Sequence, residues 1–417
     1  MSDPERITPS RERPVPESIA VLAGTAVNGV AAYLYIAIGT RTYGDVAMAP
    51  VAVLWTFWAV SVALFMFPLQ HWAIRQISVD GDTSGVGGTV PRLALVITGA
   101  AAILGIVAWV GSERLFGSTD PGWALLVFFI TIGSAFAGLQ RGVLSGLGRY
   151  YATAANIAGE NLLRLGVGIA VAVTLDSVVW FAAVLAIGPL VAVFWPETLR
   201  LPFRGGRRQP VLAFLGGLAG GILIAQVILN AGPVVLQAIG GAEEGVTALF
   251  LSLALFRAPY LLALGVATRM TAPLTRMVVN GEVARLTRLV TQLALATVGL
   301  AIAGAAGGYL LGPWVIDLVF APTTPVSAPM VAAISAGSSL ALGGLALILI
   351  LTAQGRTVAI QAVWAGALVL GIVVLVLWPG GDMERVVASF VVAEAVALAA
   401  MAGVVRPRPV SPAVPMS

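Results

Sequence analysis

The stretch LQRGVLSGLGRYYATAANIAGENLLRLGVGIAVAV, Leu139–Val173, decides how this chain folds. Two apolar segments meet here across a short turn that ends at Arg149, and the second segment carries Asn156, Glu160 and Arg164 into apolar surroundings. Spacings of seven, four and four residues place these four side chains on one face of a helix. Arg164 lies about 22 Å along the helix axis from Arg149, roughly mid-bilayer. An ionisable group at that depth should face protein or a water-filled cavity.

The composition is that of a polytopic membrane protein. Of the 417 residues, 59% are hydrophobic and 10% are charged, whereas soluble domains carry about 25% charged residues. The chain has no cysteine and a single histidine, His71, which excludes disulfides, thiol catalysis and multi-histidine metal sites. We therefore expect no cofactor and no metal. The net charge is +4, and this positive balance indicates membrane topology rather than nucleic-acid binding.

Apolar segments that are long enough to cross a bilayer as helices recur along the chain. They lie at roughly 18–39, 47–70, 91–112, 122–145, 151–174, 177–196, 211–239, 246–268, 286–312, 327–352, 358–378 and 386–405. The predicted fold class is an all-α integral membrane protein with 12 transmembrane helices in two lobes. Its predicted parts are a disordered cytoplasmic tail (1–17), a six-helix lobe (18–200), a cytoplasmic linker (201–210), a second six-helix lobe (211–405) and a disordered tail (406–417).

Arginine placement predicts the orientation in the membrane. All 23 basic residues are arginines, and 18 of them fall in segments that face the cytoplasm if the N-terminus is inside. Only Arg41, Arg114 and Arg385 fall in the outer segments, whereas Arg164 and Arg257 lie within spans. This bias predicts that both termini are cytoplasmic and that the number of spans is even.

Four weak matches between the halves indicate an internal repeat. IGTRTYG (38–44) matches IGGAEEG (239–245), VDGD (79–82) matches VNGE (279–282), Phe116 matches Phe320, and SGLGRYYATAANIAG (145–159) matches TAQGRTVAIQAVWAG (352–366). The offsets lie between 200 and 207 and the order is kept. Six spans per half predict a parallel repeat about an axis along the membrane normal, with a central cleft between the lobes.

The pair Glu160 and Arg164 has two interpretations. The two charges could neutralise each other and lock helix packing, or they could line a cavity and contact an anionic substrate. The equivalent positions in the second half, Ala367 and Gly371, are uncharged. This asymmetry favours a functional role for the pair.

Other polar residues inside the spans are further candidates. Arg257, which precedes Pro259, could bond backbone carbonyls or clamp a phosphate through its guanidinium. Gln226, Asn230 and Gln237 share a face of the seventh span, and Asn28 is one position from the repeat equivalent of Asn230. These amides could bond neighbouring helices or a substrate. Glu394 in the last span could be a proton site or a paired structural acid.

Three stretches resemble the polysaccharide-biosynthesis branch, with its O-antigen flippases, of the multidrug/oligosaccharidyl-lipid/polysaccharide (MOP) flippase superfamily. They are IGTRTYGDVAMAP (38–50), RGVLSGLGRYYATAANIAGENLLRLG (141–166), and LFRAPYLLALGVATRMTAPLTRMVVNGEVARLTRL (255–289) with the following VIDLVFA. The resemblance implies two six-helix lobes, alternating access, and a polyprenyl-diphosphate-linked sugar as the substrate. It also implies that the substrate is bound by residues of the central cavity, here Arg141, Arg149, Glu160, Arg164 and Arg257.

The resulting prediction is a multi-pass transporter in the bacterial plasma membrane that moves a lipid-linked oligosaccharide. Its expected partners are membrane lipids and possible polysaccharide polymerases and glycosyltransferases, without nucleic acid. A drug or cation antiporter on the same fold is the alternative. The acid-free first and seventh spans disfavour it, because drug-exporting relatives usually place an acidic cation site there. A membrane glycosyltransferase or glycan ligase would need catalytic acids on a sizeable loop, and the outer loops here are short.

Overall fold

The computed structural model describes residues 17–198 and 218–405. Across these two ranges the chain forms helices, short connections and no strand. The predicted tails, 1–17 and 406–417, and the predicted linker, 201–210, lie outside the described residues, apart from Glu17 at the start of the first helix. The predicted all-α membrane class is confirmed for the described part of the chain, whereas the domain boundaries stay predictions.

The first half of the chain forms seven α-helices. They are α1 (Glu17–Ser61), α2 (Phe67–Asp80), α3 (Ser84–Val110), α4 (Ser112–Phe116), α5 (Gly122–Gly146), α6 (Tyr150–Thr174) and α7 (Val178–Ile187). A π-helical turn, Val62–Met66, joins α1 to α2. A 3-10 segment, Gly188–Phe194, continues the chain after α7.

The second half forms eight α-helices within the described residues. They are α8 (Leu218–Asn230), α9 (Gly232–Ala238), α10 (Glu243–Phe256), α11 (Ala258–Val279), α12 (Val283–Phe320), α13 (Ala328–Ala353), α14 (Thr357–Leu377) and α15 (Asp382–Val404). Pro233 and Pro259 stand in the first turns of α9 and α11. A proline there supplies no N–H to the preceding helix, and the axes of α8 and α9 differ by 61°.

The chain reverses direction inside α1. Gly44 has φ 77 and ψ 173, a conformation that residues with a Cβ rarely adopt. Tyr35 and Trp55 lie on either side of it, and their ring centroids are 6.0 Å apart, although a straight helix would separate them by about 30 Å. α1 is therefore a hairpin of two helical arms, in agreement with the predicted turn between the first two spans.

Eight helices of the described chain are long and apolar enough to cross a membrane, or nine if the bent pair α8–α9 is one span. One of the eight is the 60-residue stretch Ile19–Ser78, which contains the hairpin of α1. The apolar helix Val178–Phe194 is shorter and is not among the eight. The chain is a multi-pass membrane protein, and the count of 12 spans stays a prediction.

The helices pack mainly within their own half of the chain. In the first half α1 packs on α6, and α5 packs on α2 and α3; in the second half α12 packs on α13, and α15 packs on α13 and α14. The main contact between the halves is made by α1 with α10. Through this contact the outer turn of α1 packs against the second half. The other helices of each half form a bundle of their own.

Three of the four repeat matches share an unusual backbone conformation. The pairs with positive φ are Gly81 and Gly281 (φ 76 and 67), Gly117 and Ala321 (φ 60 and 46), and Gly148 and Gly355 (φ 71 and 69). The last pair also shares its turn hydrogen bonds, because Arg149 N–H donates to the Leu144 carbonyl and Arg356 N–H to the Leu351 carbonyl. The matched segments therefore form similar turns in both halves, whereas the repeat of the whole lobes stays a prediction.

The orientation can be measured with single cysteines, because the chain has none of its own. We expect an impermeant maleimide, added to intact cells, to label Gly381→Cys, since the exposed Gly381 follows a predicted outer end. Asn280→Cys is also exposed but lies in a predicted cytoplasmic turn, so it should react only after the cells are opened. The reverse pattern would invert the predicted topology.

Candidate functional site

Helices α5 and α6 form an antiparallel hairpin about the turn at Gly148. Glycines on α5 let this hairpin approach the π-helical turn and α2 closely, because a Cβ on Gly138 or Gly142 would meet backbone atoms of Met66 or Gln70 at under 3 Å. Residues at equal distances from the turn face each other across the hairpin, and the first-half polar residues meet there for this reason.

A buried ion network occupies the interior of the hairpin. The Glu160 carboxylate accepts from Arg164 Nη2 at 2.6 Å through one oxygen and from Arg141 through the other. Arg141, Glu160 and Arg164 are 6%, 4% and 1% exposed. Two guanidinium groups share one carboxylate, so the first-half network carries one uncompensated positive charge. Burial of such charges is tolerable only where hydrogen bonds satisfy the remaining polar atoms.

Amide side chains supply the hydrogen bonds around Arg141. Asn156 accepts from Arg141 Nε at 2.9 Å and donates to Gln140 at 2.7 Å. Gln140 donates in turn to the Ala192 carbonyl at 3.2 Å and to Thr198 at 3.0 Å. The amides therefore tie α5 and α6 to the 3-10 segment that follows α7.

Arg164 is enclosed by polar and aromatic partners of its own. Its Nε donates to the Leu185 carbonyl at 3.2 Å, and its Nη1 donates to Asn161 at 2.9 Å. The guanidinium carbon lies 5.2 Å from the centroid of the Trp58 ring, a cation–π geometry. Asn161 donates to the Asn28 carbonyl at 3.1 Å, so the predicted candidate Asn28 supports the network through its backbone.

The structure brings together only part of the predicted first-half site. Arg141, Asn156, Glu160 and Arg164 join in one network, but Arg149 is exposed at the N-terminal end of α6 and lies apart from them. The arginine count placed Arg141 in a cytoplasmic segment, and the structure adds that Arg141 is a buried partner of Glu160. The network therefore contains three charges rather than the pair that helix spacing suggested.

A second polar chain runs through the interior of the other half. Arg257 Nη1 donates to Asn230 Oδ1 at 2.6 Å, and Asn230 donates to the Gln226 side chain at 3.3 Å and to its carbonyl at 2.7 Å. Gln226 Nε2 donates to the Tyr260 hydroxyl at 2.6 Å. Arg257 lies at the α10–α11 break and Asn230 at the α8–α9 bend, so the two helix breaks bring these side chains together.

Arg257 is less fully bonded than Arg164. The residue is partly exposed, its buried Nε has no hydrogen-bond partner in the described structure, and Asn230, the side chain that bonds it there, is neutral. Tyr33 of α1 donates its hydroxyl to the Ala254 carbonyl, one turn before Arg257. The arginine therefore lies beside the contact between the halves.

Asp45 connects the halves on the side that is predicted to face outward. Its Oδ2 accepts from the Thr323 hydroxyl at 2.8 Å and from the Thr324 N–H at 2.7 Å, and its carbonyl accepts from Thr247 at 2.7 Å. Asp45 is 2% exposed. An aspartate at this outer turn would usually be solvated or cap its own helix, but here it binds the opposite half.

Arg41 binds the same region one helical turn earlier. Its Nη2 donates to the Leu318 carbonyl at 2.7 Å and to the Val319 carbonyl at 3.4 Å, at the C-terminal end of α12. Carbonyls there lack helical partners and attract cations. We call Arg41, Asp45 and the segment 318–324 the outer clamp. The clamp holds the two halves together on one side of the molecule.

The sequence did not single out several residues of these networks. Gln140 and Asn156 are each eight residues from Gly148, so pairing positions across a hairpin would have found their contact. Tyr33, Tyr260 and Trp58 carry no sequence signal that separates them from other aromatic residues of the core.

No group of three or more His, Cys, Asp or Glu residues that could hold a metal occurs in the part of the chain that the structure describes.

Comparison with known proteins supports the fold. No protein-family model matches the sequence, and no curated protein matches it significantly. Solved structures do match. A multidrug resistance MATE family transporter of the MOP superfamily, inward-facing, aligns with a TM-score of 0.64 and 15% identity over 92% of this chain and 96% of that one.

Other conformations of similar transporters align over comparable lengths. An outward-facing multidrug resistance MATE family transporter of the MOP superfamily has a TM-score of 0.57 and 14% identity, over 93% of this chain and 94% of that one. The MATE transporter VcmN of Vibrio cholerae in its bent form has 0.54 and 13%, over 92% and 94%. At these identities the likeness establishes a MATE-like fold, which agrees with the predicted fold class.

The first-half network should respond to substitution as a unit of three charges. Glu160→Leu leaves two buried guanidinium groups without an anion, so we expect it to lower the free energy of unfolding by about 3–5 kcal/mol. The triple variant R141L/E160L/R164L removes every charge and should recover most of that loss. Thermal unfolding in detergent measures both, with the exposed Glu113→Leu as a control. A triple variant less stable than Glu160→Leu would contradict this account.

The outer clamp should control the separation of the halves. The substitution Asp45→Asn removes the charge that strengthens two hydrogen bonds, so we expect it to populate longer distances between spin labels at Thr119→Cys and Gly381→Cys. Both label positions are exposed and lie at predicted outer ends of opposite halves. Double electron–electron resonance measures the distribution. The exposed Asp176→Asn is the matched control, and an identical distribution for both variants would remove the clamp role.

Proposed function

We propose that this protein is a membrane transporter that moves a polyprenyl-diphosphate-linked oligosaccharide, a precursor of a cell-surface polysaccharide, across the bacterial plasma membrane. The observation that carries the proposal is Arg257. Its guanidinium lies among apolar helices, and among the described residues it bonds a neutral amide and keeps a buried, unpartnered Nε–H. A cation held in this way at the contact between two helical bundles suits an anionic ligand.

The chemistry of guanidinium supports a phosphate ligand. Arginine presents a planar fork of donors that matches two phosphate oxygens at once. Here Asn230 holds one side of the fork, and Gln226, which also bonds Tyr260, holds Asn230. The fork is therefore oriented before a ligand arrives. A diphosphate that crosses hydrocarbon needs such donors, because a bare charge there is very costly.

The charge balance inside the helices points the same way. Among the described residues, the acids that interact with Arg141, Arg164 and Arg257 are Glu160 and Glu394. The excess is positive, which favours an anion over a cationic drug. Direct ligand contact by Arg141 or Arg164 stays a prediction, since both are enclosed in this conformation.

Alternating access provides the transport mechanism in this proposal. The outer clamp closes the predicted outer side, so the ligand enters from the cytoplasmic side. Its release requires Arg41 to leave the C-terminal end of α12 and Asp45 to leave the loop that follows it. The polyprenyl tail can stay in lipid throughout. Such a cycle fits 12 spans in two parallel repeats, with α1 counted as two spans.

The proposal excludes an enzymatic role and includes further partners. Membrane lipids surround the helices, and the glycosyltransferases and polymerase that make and use a surface polysaccharide are the expected functional partners. Nucleic acid has no place in this scheme.

A drug or cation antiporter on the same fold is the second candidate. The observation that favours it is Glu394, a buried acid with one carboxyl oxygen that has no hydrogen-bond partner in the described structure. The similar transporters reported above include multidrug resistance proteins. Ligand charge therefore separates the two candidates.

Binding to the purified protein in lipid nanodiscs tests the role of Arg257. We expect a polyprenyl diphosphate to bind more tightly than the uncharged polyprenol, and Arg257→Ala to weaken diphosphate binding by about tenfold or more, the value of one or two charge-assisted hydrogen bonds. Arg285→Ala is the control, because Arg285 is an exposed arginine that pairs with Glu282. Equal losses in both variants would reduce the effect to surface charge.

Deletion of the gene tests the biological activity. The deletion strain should accumulate a lipid-linked oligosaccharide on the cytoplasmic leaflet and lose the matching surface glycan. Complementation with the Arg285→Ala variant should restore the glycan, whereas the Arg257→Ala variant should not. Normal glycans and lipid-linked pools, together with new sensitivity to cationic drugs, would overturn the flippase proposal in favour of the antiporter.

A further inference from the structure

A small cavity lies in the second half, among α8, α11, α13, α14 and α15. Its polar lining consists of Tyr260, Trp364 and Glu394, and the remaining lining is apolar. The cavity measures about 10 Å³ for the centre of a water-sized sphere, which is room for one water molecule. Its three polar residues are 5%, 2% and 1% exposed.

Two of these residues have buried polar atoms without a partner. Glu394 Oε2 and Trp364 Nε1 make no hydrogen bond within the described structure. A buried donor or acceptor that stays unsatisfied costs about 1–3 kcal/mol. Tyr260 accepts from Gln226, so the hydrogen of its own hydroxyl remains available to another acceptor. The cavity thus combines two hydrogen-bond donors and one acceptor around a space of the size of one water molecule.

We propose that this cavity binds one ordered water molecule that joins Glu394 and Trp364 to Tyr260, and that Glu394 thereby acts as a positioning residue for Arg257. The water accepts from Trp364 Nε1 and from Tyr260, and it donates to Glu394. These three bonds are the number that a buried water typically makes. A metal cation fits the cavity poorly, because the indole N–H would point its positive end at the ion.

The positioning follows from the hydrogen-bonded chain. Tyr260, fixed by the water, holds Gln226; Gln226 holds Asn230; and Asn230 holds the guanidinium of Arg257. Every link is a neutral side chain, so the chain transmits orientation rather than charge. The carboxyl group of Glu394 also lies near enough to attract Arg257 electrostatically. Glu394 thus fixes the orientation of Arg257 from the opposite end of the hydrogen-bonded chain.

The side chains that line the cavity around Glu394 are uncharged. From α11 it faces Tyr260, from α14 Trp364, and from α8 and α13 apolar side chains such as Leu229 and Leu345. Arg257, at the start of α11, is the charged residue that acts on it. Among the described residues, Arg257 is therefore the arginine that Glu394 positions.

The test uses the purified protein in nanodiscs, with a polyprenyl diphosphate as the probe, and rests on the proposed ligand of Arg257. Glu394→Leu fills the cavity and removes the acceptor, so we expect about tenfold weaker binding. Glu394→Gln keeps a hydrogen-bonding oxygen and should bind within about threefold of the unchanged protein. Trp364→Phe removes one donor and should lie between them. Ser338→Ala, which removes another buried hydroxyl without a partner, is the control and should bind normally.

A high-resolution structure of the unchanged protein and of Glu394→Gln should show density for one water in the cavity, and Trp364→Phe should weaken it. An empty cavity, or normal binding by Glu394→Leu and Trp364→Phe, overturns the inference. Binding that requires sodium at constant ionic strength also overturns it and assigns the cavity to a cation. If Glu394→Leu does not fold, Trp364→Phe and Glu394→Gln decide. A failure of the proposed function is distinct, because Arg257→Ala would then bind the probe normally.

Discussion

The carboxylate of Glu160 bonds two arginines in the membrane interior, and the first half of the molecule is arranged around that contact. Hydrocarbon offers no solvation to a guanidinium, so each N–H of Arg141 and Arg164 needs a protein partner. Two amides of α6, a carbonyl in the last turn of α7 and the face of Trp58 supply such partners. The helices can take few other arrangements without leaving a charge exposed to lipid.

The buried arginines of the two halves have different kinds of partners. Their turns are alike at Gly148 and Gly355, and Ala367 occupies the position equivalent to Glu160. The first half encloses its arginines in a charged network. The second half leaves Arg257 on a neutral chain at a helix break. Similar turns therefore occur in two halves that surround their buried arginines with different partners.

Sequence reasoning predicted the elements that depend on local chemistry. Apolar length gave the helices, and the spacing of Asn156, Glu160 and Arg164 gave their common face. It could not predict that Arg141 completes the network, because its closeness to the turn resembles an orientation signal and its partner lies across a hairpin. The outer clamp was missed for a similar reason, since Asp45 and Thr323 are far apart in sequence and meet only when the two halves pack.

The length of α12 has a mechanical consequence. Its 38 residues extend about 57 Å, nearly twice the thickness of the hydrocarbon layer. One end is held by Arg41 and the other carries Arg285 into the predicted cytoplasmic turn. If α12 turned as one body about the end that Arg41 holds, a tilt of about 10° would displace the opposite end by about 10 Å. A small movement at the outer clamp would then become a large one at the other end of the helix.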